Sequence, residues 1–178
     1  MASSDEVAVD AAVLAGYERL VGAQLQGSLD GRGLRVAVAC ARFNGAITTR
    51  LLDGCLEGLA AAGVDAADVT VAWAPGAFEL PVLAQAFATA AVPADAIVCL
   101  GAVIRGETGH YDVVAGESAR GIQDVARDTG VPVIYGVLTC ETLGQALERS
   151  APDETNKGRA AATAAVEMAR LLADRRLT

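Results

Sequence analysis

Residues 96–110 read Ala-Ile-Val-Cys-Leu-Gly-Ala-Val-Ile-Arg-Gly-Glu-Thr-Gly-His. An apolar run, Ala96–Ile104, gives way at once to a glycine-punctuated polar turn and then to a stretch with helical spacing. The run is continuous rather than alternating, which fits a strand covered on both faces, as in a parallel sheet. It is far shorter than the roughly 20 residues that a membrane span needs. Three similar runs occur at Leu34–Ala41, Val69–Ala74 and Val131–Leu138. Between them the spacing turns helical. Ile47, Leu51, Cys55 and Leu59 recur every fourth residue. Val114, Ser118, Gly121, Ile122 and Val125 repeat the pattern, as do Ala161, Ala164, Ala165, Met168, Leu171 and Leu172. Gly63 stands where a left-handed residue closes a helix, and Gly130 with Pro132 ends the third helical stretch and opens a strand. Thr142 with Gln145 spells a capping box. The order β-α-β-α-β-α-β-α-α predicts an α/β sandwich built on a parallel sheet.

The 178 residues are enough for one domain, and 53% of them are hydrophobic. Aromatics are only 4%, so alanine, valine and leucine must fill the core. A net charge of −8 makes the chain a poor binder of phosphate backbones and argues against nucleic-acid partners. Cys40, Cys55, Cys99 and Cys140 form no C-x-x-C pair, and His110 is the only histidine, so no metal site is expected. Buried, reduced thiols fit a cytoplasmic protein, as does an acidic N-terminus without signal-peptide character. Ala8–Leu20 reads as a weak helix or as disorder. Gln24–Leu29 reads as a strand with no place in a four-stranded unit: it pairs with a neighbouring subunit's sheet edge, or it is a frayed terminus.

In an open parallel sheet, ligands bind beyond the carboxyl ends of the strands. That rule selects Arg42–Asn44, Pro75–Glu79, Arg105–His110 and Thr139–Glu141. The Gly106-Glu107-Thr108-Gly109 turn before a helix suits an anion, although it matches no nucleotide fingerprint and is also an ordinary strand-to-helix turn. His110 opens that helix and could move protons near neutral pH; a lone histidine is otherwise simply packed or solvated. Lys157, the only lysine, and Arg149 could supply positive charge, or be solvated surface groups. Phe43 and Phe78 fall at strand ends, where each could stack on a planar ligand or cap the core.

Together, Arg42–Asn44, Trp73–Pro81, Gly101–Asp112, Pro132–Thr139, Gln145–Arg149 and Asn156–Gly158 resemble the 6,7-dimethyl-8-ribityllumazine synthase family, in its order and at its spacing. The resemblance runs from about Leu25 to Leu172 and implies a domain over residues 24–178 after an extension at 1–23. It implies a three-layer sandwich with flavodoxin-like strand order 2-1-3-4, in which the N-terminal strand joins a neighbour. It implies condensation of 5-amino-6-(D-ribitylamino)uracil with L-3,4-dihydroxy-2-butanone 4-phosphate, without metal or organic cofactor. Phe43 would stack on the pyrimidine beside Phe78, and Asn44, Ala77 and Glu79 would hold the ribityl chain. Val103 and Ile104 would contact the ring through the backbone, and Tyr135 would cover it from the adjacent subunit. Gly106, Glu107, Thr108 and Arg149 would bind phosphate, His110 would transfer protons, and Lys157 would line the site. Assembly would be a homopentamer, a pair of pentamers or a shell of sixty, with a riboflavin synthase as partner.

The chain departs from the family pattern at Tyr135, Cys140, Ser150 and Arg159, where phenylalanine, threonine, alanine and an acidic residue are common. Three other functions fit less well. A flavin- or lumazine-binding paralogue would not need the full set Phe43, Glu79, His110, Arg149 and Lys157. A riboflavin synthase of the archaeal type would not need an anion loop with an arginine. A phosphorylated receiver would need paired acidic residues after the first strand, where Arg42-Phe43-Asn44 stands.

Overall fold

The computed structural model describes residues 9–174. Four parallel strands form one sheet: β1 (Val36–Ala41), β2 (Val69–Ala74), β3 (Ala96–Ile104) and β4 (Val133–Cys140). Their order is β2-β1-β3-β4, as the resemblance implies. Among the described residues six α-helices accompany them: α1 (Ala11–Tyr17), α2 (Gly45–Ala61), α3 (Leu80–Ala88), α4 (His110–Thr129), α5 (Leu143–Arg149) and α6 (Lys157–Leu172).

The period-two alternation of a strand sorts the core into two layers. On β1, Val36, Val38 and Cys40 face α2, α5 and α6, while Ala37, Ala39 and Ala41 face α3 and α4. β3 repeats the division, with Val98 and Leu100 on the first face and Ile97 and Cys99 on the second. Both faces of β1 are buried throughout, which is why its sequence shows no polar alternation. All four cysteines are free and buried. Small residues also set helix spacing. A Cβ at Gly158 would fall 1.9 Å from the carbonyl oxygen of Leu51, so α6 lies directly on α2.

The local signals hold. Ile47, Leu51, Cys55 and Leu59 form the buried stripe of α2. Gly63 and Gly130 are left-handed, at φ +86° and +74°. Thr142 Oγ1 accepts from the Gln145 N–H at 3.2 Å, and Gln145 Oε1 accepts from the Thr142 N–H at 3.3 Å. Two expectations shift. β4 starts at Val133 rather than Val131, because Pro132 has no N–H for the ladder, and it runs on through Thr139 and Cys140 to pair with Val103 and Ile104. On α6 the buried stripe is Ala161, Ala162, Ala165, Val166 and Ala169, whereas Met168 and Leu172 face outward. The smaller side chains go inward because α2 and α6 approach so closely.

α1 is capped by Asp10, whose carboxylate accepts from the Ala12 N–H, and it buries no residue. Residues 24–29 form no strand within the chain, although Gly27 lies against the Glu167 backbone of α6. Among the described residues no helix is long and apolar enough to cross a membrane.

Candidate active site

The strand order reverses between β1 and β3, because the chain leaves β1 for β2 on one side and returns to β3 on the other. The loops beyond their carboxyl ends therefore diverge and leave a crevice. A cleft of about 660 Å³ lies there. Its floor is the end of β3, Ala102 to Ile104, and its walls come from the loops after β1, β2 and β3.

Backbone hydrogen bonds stitch these loops together. The Arg42 N–H donates to the Ala74 carbonyl at 2.8 Å, and the Phe43 N–H donates to that of Pro75 at 3.1 Å. Asn44 is the one non-glycine residue with positive φ among the described residues, at +57°. Asparagine tolerates that region better than most residues. The turn lets Asn44 start α2 while its amide nitrogen donates to the Ala102 carbonyl at 2.8 Å, joining β1's loop to β3. Across the cleft, the Glu79 carboxylate accepts from the Gly76 N–H at 3.0 Å and sets the Pro75-Gly76 turn.

Phe43 and Phe78 line this cleft at 70% and 51% exposure. They do not cap the core; each presents a ring that a planar ligand could cover. Ala77, Glu79, Val103 and Ile104 lie with them, as do Gly106, Thr108 and His110. Gly106 to His110 are all exposed, and the loop runs directly into the N-terminus of α4, where backbone donors and the helix dipole favour an anion. The Thr108 hydroxyl accepts from the His110 N–H at 3.4 Å. His110 is the first residue of α4, which puts its imidazole at the cleft beside that loop.

Three candidates stand elsewhere. Tyr135, Arg149 and Lys157 line a second depression of about 410 Å³, along β4 and the facing side of α6. β4 is an edge strand, so this depression opens sideways rather than into the cleft. Glu107 belongs to the anion loop without lining the cleft. Burial raises the Tyr135 phenol pKa, while the Ser118 hydroxyl on α4 lowers it in part. Lys157 opens α6 behind Asn156, whose buried amide is fully used. Its nitrogen donates to the Arg50 and Ala151 carbonyls, and its oxygen accepts from the Gly158 and Arg159 N–H groups. Arg149 ends α5, where its guanidinium donates to the Gln145 carbonyl at 3.3 Å. Cys140 is not a ready thiolate, because burial pushes its thiol up even though Arg149 pulls the other way.

Tyr111, Val113 and Val114 also line the cleft, though the sequence reading did not name them as site residues. They follow His110 on the first turns of α4. No group of three or more His, Cys, Asp or Glu residues that could hold a metal ion occurs among the described residues.

The cleft sits at the strand-order reversal, with aromatic rings, a carboxylate, an anion-suited loop and a histidine converging on it. The family model for 6,7-dimethyl-8-ribityllumazine synthase matches residues 33–173, which span all four strands and both depressions. Fold and match agree, and the chain belongs to the 6,7-dimethyl-8-ribityllumazine synthase family, enzymes of riboflavin biosynthesis.

Proposed function

We propose that this chain condenses 5-amino-6-(D-ribitylamino)uracil with L-3,4-dihydroxy-2-butanone 4-phosphate to give 6,7-dimethyl-8-ribityllumazine, phosphate and water. The observation that carries the reading is the shared cleft of Phe43, Glu79, the Val103–Ile104 backbone, the Gly106–Thr108 loop and His110. A planar heterocycle, a polyol and a phosphate call for those three kinds of surface. Phe43 takes the ring face, Glu79 and Asn44 take hydroxyls, and the loop at the start of α4 takes the phosphate.

The amine of the pyrimidine attacks the ketone carbonyl, which mainly requires the two to be held in line. Water leaves as the imine forms at C2, a proton shift from C3 gives the enamine that expels phosphate from C4, and the enol left behind becomes a C3 ketone on which the second amine closes the ring with loss of a second water. Each step moves a proton near neutral pH, and in this reading His110, which lines the cleft, carries those transfers. Fixed donors at the phosphate stabilise the charge it gathers on leaving.

Tyr135, Arg149 and Lys157 share one depression, so what applies to Tyr135 applies to all three. A copy of the chain placed with that depression over a neighbour's cleft completes the site. Tyr135 then covers the ring, and Arg149 reaches the phosphate. Homo-oligomerisation is part of the reaction in this reading, with the pentamer as the smallest closed ring; a riboflavin synthase partner and a cytoplasmic site of action accompany it.

The test follows lumazine fluorescence and free phosphate together after mixing both substrates with the purified protein. Equimolar appearance of both, well above the uncatalysed rate, is expected. Binding of the pyrimidine or of a flavin without acceleration would make the chain a binding paralogue instead. Sedimentation of the same sample gives the assembly, and an active monomer would remove the shared-site reading.

A further inference from the structure

Arg105 takes no part in the cleft as described so far. It follows the last residue of β3, and its backbone N–H donates to the Cys140 carbonyl at 2.9 Å. Its Nε donates to Glu141 Oε2 at 2.8 Å. Its two terminal nitrogens donate to the two carboxylate oxygens of Asp112, at 3.3 and 3.0 Å. The guanidinium carbon stands 3.9 Å from the centroid of the Tyr111 ring. One side chain therefore grips the first turn of α4, which brings His110 and Tyr111 to the cleft, and the residue that opens the connection to α5. The Glu141 N–H in turn donates to Gln145 Oε1 at 2.8 Å, inside the helix that ends with Arg149. A continuous line of contacts thus runs from the turn of His110 to the helix of Arg149, between the two depressions.

The charges decide what Arg105 does. It faces two carboxylates, so the cluster as a whole is negative and does not attract an anionic substrate. Exposed ion pairs add little stability, and the carboxylates of Asp112 and Glu141 are 66% and 59% exposed. What a planar fork with a stacked ring does well is fix direction. The Gly106–Gly109 loop has no buried anchor of its own, since all its residues are exposed. Its two ends are held at Arg105 and Asp112 by the same guanidinium.

We propose that Arg105 is a positioning residue: through Asp112, Tyr111 and Glu141 it sets the anion loop and His110 in one frame with the α5 segment that carries Arg149. This rests on the reading of the cleft as the site of a phosphate-bearing substrate. It assigns Arg105 no contact with that substrate.

The experiment compares Arg105→Ala, Arg105→Lys, the Asp112→Asn/Glu141→Gln pair and the triple variant as assembled full-length protein. It reads kcat, KM for the phosphate substrate, and amide hydrogen exchange over residues 106–111 and 143–149. Arg105→Ala is expected to raise that KM about tenfold and lower kcat, with exchange faster in both segments and thermal stability little changed. Arg105→Lys should recover only a small part, because an ammonium meets one carboxylate and lays no plane on Tyr111. The carboxylate pair should mimic Arg105→Ala, and the triple variant should be no worse than either, as expected of groups acting as one unit. A carboxylate pair that lowers KM below the wild-type value would overturn the proposal, because a freed guanidinium would then be binding substrate. Wild-type KM, kcat and exchange in Arg105→Ala would overturn it as well. Should the wild-type protein form no lumazine, the reaction assignment fails and hydrogen exchange alone decides. Loosening of both segments in Arg105→Ala sustains the positioning role, and loosening of one or neither refutes it.

Discussion

His110 is the only histidine of the chain, and it stands at the start of a helix on the rim of the cleft. In the proposed reaction its work is proton transfer, in a condensation that orientation already favours. His110→Ala should slow the reaction about 100-fold, the low end of what general acid–base catalysis contributes, and leave a measurable rate. A steady-state assay at neutral pH checks this, and loss of all activity with substrate binding intact contradicts it. Arg149 forms a charge-assisted contact with phosphate in the proposed site. Arg149→Ala should raise KM for the phosphate substrate about 10- to 100-fold and leave the pyrimidine KM nearly unchanged. Asn44 combines a left-handed backbone with a hydrogen bond to Ala102. Asn44→Ala should lower stability by about 1–3 kcal/mol in urea denaturation, since alanine loses the bond and adopts that backbone poorly. Asn44→Gly, which relieves only the backbone, should fall between.

α2 and α6 form the tightest helix pair, and the pair matters for the site because α6 begins with Lys157. Gly158 has no room for a side chain against Leu51, and Gly54 has none against the Asn156 amide. Gly158→Ala must push α6 off α2 and with it the cap formed by Asn156. A loss of about 3 kcal/mol or more is expected, in the range of severe overpacking. Thermal unfolding measures it, and a variant within 1 °C of wild type would refute the close approach. The Asn156-Lys157-Gly158 stretch is thus a structural device in two of its three residues. Asn156 saturates its hydrogen bonds inside the protein, and Gly158 permits contact. Only Lys157 is left to face the depression with Tyr135.

The two-layer core makes the whole molecule sensitive to alkali. Burial pushes the thiols of Cys40, Cys55 and Cys99 up to about 11, 12 and 12, against 9 for an exposed thiol. Thiols that stay protonated when folded but ionise when unfolded favour the folded state only while the unfolded chain also keeps its protons. Their contribution is full below about pH 9 and is lost as pH rises from 9 towards 12. Urea midpoints should therefore fall steadily from pH 8.5 upward. A thiol reagent at pH 8 should find almost no reactive cysteine in the native protein and all four after denaturation. Unchanged urea midpoints up to pH 11, or rapid native labelling, would contradict the buried placement.

Much of the fold was legible in the order of residues. Continuous Val/Ile/Leu/Ala runs marked buried strands, four-residue spacing marked α2, and Gly63, Gly130 and the Thr142–Gln145 box marked boundaries. These are local signals, governed by backbone sterics and by nearest hydrogen bonds, so they need no partner. Pro132 shows the limit, because its missing N–H moves the start of β4 only once a neighbouring strand is there to bond. The face of α6 was misjudged for the same reason: only the closeness of α2 decides that the small residues, not the large apolar ones, go in. At the site, residue types and their strand-end positions were readable, and the cleft gathers Phe43, Glu79, Gly106, Thr108 and His110 as expected. That Arg149 and Lys157 lie with Tyr135 on the β4 edge, apart from the cleft, and that Arg105 spends its charge on Asp112 and Glu141, could not be read. Both depend on which residues distant in the chain meet in space, and packing of helices on the sheet decides that.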